Sequence, residues 1–268
     1  MSTILILLLA GCVTGATTVL FGFGGGFVTV PVVYAVSAAT STAAAMHVAV
    51  ATSTAVMIVN AAIATLAHAR SGLLRREYLC PLAGFIAVGA VLGVLAAGLV
   101  PDRTLRLLFV AYLVVAIADI SLRRGFLIRE ARTDIHPAPF GRAASVFGGI
   151  GIGAVAAFLG VGGSVLTVPL LRRRGLAMAE ATALANPLSV PVAVVGTALY
   201  SLAAPGGSRA GLFGQVDVVA AVTLLAGSLP AIAATKRSLV KIPDRAHAIG
   251  YPLLLTVVLI AMSATVIG

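Results

Sequence analysis

Charge is scarce in this sequence. Only 10% of its 268 residues are Asp, Glu, Lys or Arg, whereas a soluble domain carries about 25%. A soluble α/β domain of this length would need far more polar residues to cover its surface. The 60% hydrophobic content and mean hydropathy of +1.12 also exclude disorder, whose signature is low hydrophobicity. Cysteine is scarce as well. Cys12 and Cys80 lie in apolar runs without metal-ligand spacing, and they predict neither an internal disulfide nor a metal site. No Gly-x-x-x-x-Gly-Lys-(Ser/Thr) loop for ATP occurs, and no His-Glu-x-x-His or embedded carboxylate pair that an intramembrane enzyme would need. We therefore expect no enzyme and no cofactor. The 18 basic residues against 8 acidic ones form no Lys/Arg helix face, RNA-binding aromatic motif or zinc finger, so nucleic acid is not an expected partner.

What remains is an integral membrane protein with the lipid bilayer as its surroundings. Leu9-Ala10-Gly11-Cys12 resembles a lipoprotein cleavage box, but Met1-Ser2-Thr3 offers no positive start for a signal peptide. Gly11 also belongs to an internal repeat. Residues 21–31 read FGFGGGFVTVP and residues 159–169 read LGVGGSVLTVP, a shift of 138. The same shift pairs Gly11 with Gly149, Gly15 with Gly153 and Gly89 with Gly227, and Pro101-Asp102-Arg103 answers Pro243-Asp244-Arg245.

These matches predict a first repeat over 1–121, a basic cytoplasmic linker over 122–142 and a second repeat over 143–268. In the first, a hairpin over 4–38 is broken at the glycines and followed by spans 43–67, 79–99 and 105–121. In the second, a hairpin over 143–171 precedes spans 180–202, 216–235 and 247–267. A crossing helix needs about 20 apolar residues, and 165–171 is far too short, so each glycine break reads as the tip of a hairpin that enters the membrane and returns. Three crossings per half invert the second half relative to the first. Fifteen of the eighteen basic residues then fall in cytoplasmic loops, and only Arg103, Arg106 and Arg209 fall outside. Eight simple crossings would place Arg172–Arg174 and the Lys236–Arg245 cluster externally. The expected fold is an all-α polytopic membrane protein of two inverted-topology repeats, each a glycine-broken helical hairpin plus three transmembrane helices, with both termini on the outer side.

Gly22, Gly24, Gly25 and Gly26, and Gly160, Gly162 and Gly163 with Ser164, cannot hold a regular helix well. A broken backbone at membrane depth survives only where protein or a water-filled cavity satisfies it. The short segments beyond each break begin with free N–H groups and about half a positive charge, so two such starts meeting near the midplane suit an anion. Thr29 and Thr167 are candidates to add hydroxyl donors or to bond backbone carbonyls. Thr52, Ser53 and Thr54, with Asn186 and Ser189 in the corresponding later span, either line the same cavity or bond between helices. Asn60 is deep but unmatched and reads as structural. Gly89, Gly93, Gly98 and Gly196 read as close-packing positions. No Lys or Arg lies mid-span, Asp119, Glu180 and Asp217 sit at span ends, and His47 reads as a packed or snorkelling histidine, which leaves little for a cation or proton relay.

The paired Gly-x-Gly-Gly-(Gly/Ser)-x-x-x-x-Pro signature, with Ala51-Thr52-Ser53 in the Ala-rich span that follows, resembles the TauE/SafE sulfite exporter family across nearly the full length. The resemblance implies a bacterial inner-membrane secondary transporter of small anions, often sulfur oxyanions or organosulfonates such as sulfite or sulfoacetate, and leaves a homodimer open as its assembly. The sequence departs from that pattern at Ser164, in place of a third glycine, and at Leu184-Ala185-Asn186, in place of a second Thr-Ser pair. A passive anion channel is the alternative.

Overall fold

The computed structural model describes residues 2–40, 44–70, 76–122, 141–204, 211–236 and 243–267. Most of the linker 122–142, and the loop residues Arg75, Arg123, Arg124, Arg129, Arg132, Arg209, Arg237 and Lys241, lie outside the described residues. The first half runs α1 (Ser2–Phe21), α2 (Gly26–Ala39), α3 (Ala45–Arg70), α4 (Arg76–Gly98) and α5 (Asp102–Leu122). The second runs α6 (Arg142–Leu159), α7 (Ser164–Arg173), α8 (Met178–Leu202), α9 (Val218–Lys236) and α10 (Asp244–Ile267). The same five elements occur twice in the same order.

Among the described residues, α1, α3, α5, α8, α9 and α10 are long and apolar enough to cross a membrane, so the chain is a polytopic membrane protein. Large apolar side chains stay exposed along the outside of the bundle, including Ile4 and Leu9 on α1, Leu95 on α4, Val115 on α5, Val222 on α9 and Ile260 on α10. Apolar surface of that extent is what a lipid-facing bundle presents.

The all-α expectation needs one correction. Between α8 and α9 a small antiparallel hairpin pairs β1 (Leu212–Phe213) with β2 (Val216–Asp217), Leu212 opposite Asp217 and Phe213 opposite Val216. Gly214 supplies the positive φ, 60°, that the tight turn needs. Residues 216–217, expected to open a helix, instead cap it: the Asp217 carboxylate accepts the N–H of Ala220 at 2.9 Å.

Contacts sort the helix ends onto two faces. Thr3 of α1, Thr40 just after α2 and Thr265 of α10 line one groove. Near them Arg106, at the start of α5, donates to the Tyr34 hydroxyl and to the Thr265 carbonyl, the latter at 2.9 Å. His47 at the start of α3 reaches Asp102 at the start of α5 and, at 3.1 Å, the Ala97 carbonyl at the end of α4. Both chain ends therefore reach one face. On the opposite face Arg173 pairs with Asp119 near the end of α5, and Arg172 with Asp244 at the start of α10. Arg70 and Lys236, the last residues of α3 and α9, line one cavity there.

The first hairpin differs from the expected form, one that enters the membrane and returns, in the reach of its first arm. α1 has 20 residues, about 30 Å, and its Leu20 carbonyl accepts from His247 near the second face, so α1 traverses the bundle. Only the return arms are short: α2 has 14 residues and α7 has 10, about 21 and 15 Å.

Helix packing exchanges the halves. α1 lies along α9, and its counterpart α6 lies along α4, the counterpart of α9; α3 crosses α8, and α5 meets α10. The glycines matched by the 138-residue shift line the two seams. A Cβ on Gly15 would collide with the Ser228 carbonyl, and one on its counterpart Gly153 with the Ile86 carbonyl. Gly89 and Gly93 pack against Ile150 and Ala154, and Gly196 against Thr54, as expected of close-packing positions, whereas Gly98 faces open space.

Candidate functional site

The first break is a true reversal of the chain. Gly22, Gly24 and Gly25 all adopt left-handed φ angles, 72°, 62° and 98°, which other L-residues reach only with strain. The reversal lays Gly25 against Thr14, eleven residues earlier, so α2 starts alongside the middle of α1. In the second break only Gly160 is left-handed, φ 67°, as the C-cap of α6. Gly162 and Gly163 serve by lacking a Cβ instead. One on Gly162 would sit 2.8 Å from the Phe23 carbonyl, and one on Gly163 would sit 2.9 Å from the Ile152 methyl.

The two breaks touch. A Cβ on Gly26 would lie 2.6 Å from the Gly160 carbonyl oxygen and 2.9 Å from Val161 Cα. Ser53 of α3 bridges them, its hydroxyl donating to the Gly160 carbonyl at 2.6 Å and lying 3.5 Å from the Gly26 carbonyl. Ser53 is eight residues beyond the start of α3, about 12 Å, and Ser189 is eleven beyond the start of α8, about 16 Å. These helices start from opposite faces, so the two serines sit at one depth, near the middle of a hydrocarbon layer about 30 Å thick.

Aromatic packing fixes the first loop. The Phe23 ring lies 4.9 Å from that of Phe27 and 4.8 Å from that of Tyr251, and the Tyr251 hydroxyl donates to the Ser164 carbonyl at 3.2 Å. One α10 side chain therefore holds both loops.

Both short helices begin at this junction. In α2 the N–H of Gly26 bonds the Phe23 carbonyl and that of Thr29 bonds Gly25, leaving those of Phe27 and Val28 without backbone partners among the described residues. In α7, Leu166 and Thr167 both bond the Gly163 carbonyl, leaving Ser164 and Val165 in the same state. Such open donors are intrinsic to a helix start. The side-chain hydroxyls of Thr29, Ser164 and Thr167 are buried and likewise have no hydrogen-bond partner among the described residues. An unpaired buried polar group costs about 1–3 kcal/mol, so the junction carries an uncommon concentration of unused donors.

The remaining sequence candidates divide. Asn186 is at the junction: its amide nitrogen donates to the Thr18 carbonyl at 3.3 Å and its Oδ1 is buried without a partner. Ser189 lies beside Gly162 but donates along its own helix to Ala185 at 3.0 Å. Thr52 and Thr54 belong elsewhere. The Thr52 hydroxyl accepts the Asp217 N–H at 2.9 Å, tying α3 to the β-hairpin. Thr54 donates to Ala51 at 2.7 Å and accepts from Thr197 of α8 at 3.2 Å. Their hydroxyls point to different neighbours, the β-hairpin and α8, because consecutive helical residues point about 100° apart, so Thr52, Ser53 and Thr54 cannot all line one cavity.

Asn60, taken as structural from the sequence, and Thr14, which sequence reasoning passed over, both stand at the first loop. The Asn60 Oδ1 accepts from the Ser228 hydroxyl at 2.7 Å, and its Nδ2 lies 3.0 Å from where a Gly25 Cβ would be. The signal available in the sequence was the mismatch itself: Asn60 is polar where its repeat counterpart, Val192, is not.

Two short helices that start tip to tip at mid-depth in an apolar bundle are the arrangement of a membrane transport protein. A family model described as Sulfite exporter TauE/SafE matches residues 7–264, and the chain belongs to that family. Comparison with the curated proteins and with the solved structures found no match.

Proposed function

We propose that this protein is a secondary transporter of small anions, namely sulfur oxyanions or organosulfonates such as sulfite and sulfoacetate, in a bacterial-type inner membrane with both termini outside. The observation that carries the reading is the meeting of two helix starts with unused N–H and hydroxyl donors at mid-depth. Each start contributes about half a positive charge, and no Lys or Arg is needed to hold an anion there. The TauE/SafE family match supports the same class of cargo. The anion is held between the tips by backbone N–H groups, with Thr29, Ser164 and Thr167 as side-chain donors.

The halves are inverted repeats, a reading supported by their exchange-related packing and by α3 and α8 starting from opposite faces. Alternating access follows when the two halves trade conformations about the junction. The touching tips, Gly26 against Gly160, correspond to an occluded arrangement.

The test is uptake into proteoliposomes of sulfite and sulfoacetate, with taurine and chloride as comparators, with and without an imposed pH gradient. Saturable uptake with counterflow is expected, and its response to the gradient identifies the coupling. Currents that grow linearly with the gradient would establish a channel instead, and absence of any anion flux through folded, inserted protein would end the reading.

A further inference from the structure

The two loops are not chemically equivalent. Around the first stand four polar side chains: Thr14 and Thr18 of α1, Asn60 of α3 and Ser228 of α9, all buried. Their repeat counterparts are Ile152, Ala156, Val192 and Ala90, every one apolar. The packing supports this correspondence. Gly25 lies against the methyl of Thr14, and Gly163 against a methyl of Ile152; Gly24 lies against Met57, and Gly162 against Ser189.

Within the polar set, hydrogen bonds orient the donors. Ser228 donates to the Asn60 Oδ1 at 2.7 Å, which turns the amide nitrogen toward Gly25, the N-cap of α2. That Nδ2 is buried and has no partner among the described residues, and neither has the buried Thr14 hydroxyl. Thr18 is already spent, donating to the Thr14 carbonyl at 2.8 Å. The start of the 14-residue α2, an amide with two unused protons and an unused hydroxyl therefore stand together beside Gly25.

An open groove approaches these residues from the basic face. A cavity of about 600 Å³ lies between α3 and α9, with Arg70 and Lys236 at its mouth and Ile63 and Leu229 among its lining. Ile63 is one helical turn from Asn60, and Leu229 follows Ser228 directly. The cavity thus runs from two cations to within one turn of the Asn60–Ser228 pair.

We propose that Asn60 and Thr14 at the first glycine loop are further anion-contacting side chains, forming a one-sided subsite for a monoanion such as a sulfonate. The inference rests on the anion-transport reading and assigns its subsite. The open N–H groups, the Asn60 amide nitrogen and the Thr14 hydroxyl beside the first loop can all donate, so this subsite favours anions over cations. The positive charge is only the partial charge of a helix start, about half a unit. A second full negative charge would be buried uncompensated, which is far costlier than a monoanion held by hydrogen bonds. A sulfonate or hydrogen sulfite fits this balance, and sulfate does not.

The experiment uses the full chain in nanodiscs, with methanesulfonate and sulfate as probes, reading affinity from ligand-induced shifts in thermal unfolding and KM from proteoliposome uptake. Asn60→Asp keeps the acceptor for Ser228 but puts a negative oxygen where the donor was. Thr14→Val removes only a hydroxyl and guards against misfolding of the first variant. Wild type is expected to bind methanesulfonate at least about tenfold more tightly than sulfate. Each variant should weaken methanesulfonate by about tenfold or more, the scale of a lost hydrogen bond to a charged group. Thr223→Ala on α9, whose hydroxyl donates to the Val219 carbonyl of its own helix, should change it less than about threefold. Wild-type affinity in either variant with an unchanged unligated unfolding temperature would overturn the subsite while leaving anion transport standing. Equal affinity for sulfate would overturn the monoanion selectivity. A wild type that binds and moves no anion removes the transport reading and this subsite with it.

Discussion

Ser53 and Gly160 lie 107 residues apart in opposite halves of the chain, and the Ser53 hydroxyl donates to the Gly160 carbonyl oxygen at 2.6 Å. Gly160 ends α6 in a left-handed conformation, so its carbonyl is turned out of the helix ladder. Ser53→Ala should strand that carbonyl and cost about 1–3 kcal/mol. Transport should fall with it, because the bond holds one tip against the other. Denaturation in detergent alongside proteoliposome uptake checks both; unchanged stability and flux would show that the junction needs no such bridge.

The seams make a sharper prediction about size. Gly153→Ala in α6 drives a methyl into the Ile86 carbonyl and should destabilise by about 1–3 kcal/mol. Gly151→Ala, two residues away on the same helix and facing open space, should stabilise by up to about 1 kcal/mol through helix propensity. Opposite signs in thermal unfolding are the expected result, and equal shifts would deny the close approach of α6 to α4.

A matched pair of carboxylates holds the starts of α3 and α8. Asp102 Oδ1 accepts the Met46 N–H at 2.7 Å, and its counterpart Asp244 Oδ1 accepts the Met178 N–H at 2.7 Å. Their other partners differ, His47 for Asp102 and Arg172 for Asp244. Asp102→Ala should cost about 1–2 kcal/mol, the loss of a helix cap. Asp244→Ala should cost more, about 3 kcal/mol, because the Arg172 side chain is only 2% exposed and loses a charged partner. Unfolding midpoints in the reverse order would contradict the assignment.

Sidedness is open to chemical labelling. After Cys12 and Cys80 are replaced by alanine, Thr40→Cys should react with an impermeant maleimide applied to intact cells. Arg174→Cys should react only after permeabilisation. Thr40 shares its groove with residues near both chain ends, while Arg174 follows the pair of α7 arginines that bond Asp119 and Asp244. The opposite labelling pattern would invert the proposed orientation.

Much of the organisation was legible in one dimension. Composition alone specified a membrane protein, and the 138-residue repeat located the two glycine breaks, the helices that follow and the family. Helix ends moved by only a few residues, for example from 43–67 to Ala45–Arg70, since hydropathy marks a span but not its capped ends. The β-hairpin before α9 was not legible, because its strands are two residues each and look like the start of an apolar span.

The sequence by itself determined what had to be buried, where the helices had to break and that the chain was built twice, because these follow from hydropathy, glycine content and self-similarity. Only the tertiary structure decided which of the polar residues meet. Thr52, Ser53 and Thr54 are neighbours in sequence, yet the turn of the helix sends one to the β-hairpin, one to the glycine junction and one to α8. Asn60 has no polar match in the second repeat and gained significance only when Ser228, from the far half of the chain, fixed its amide beside Gly25. Hydrogen-bond partners that are 107 to 168 residues apart depend on how helices cross, and no local pattern encodes that.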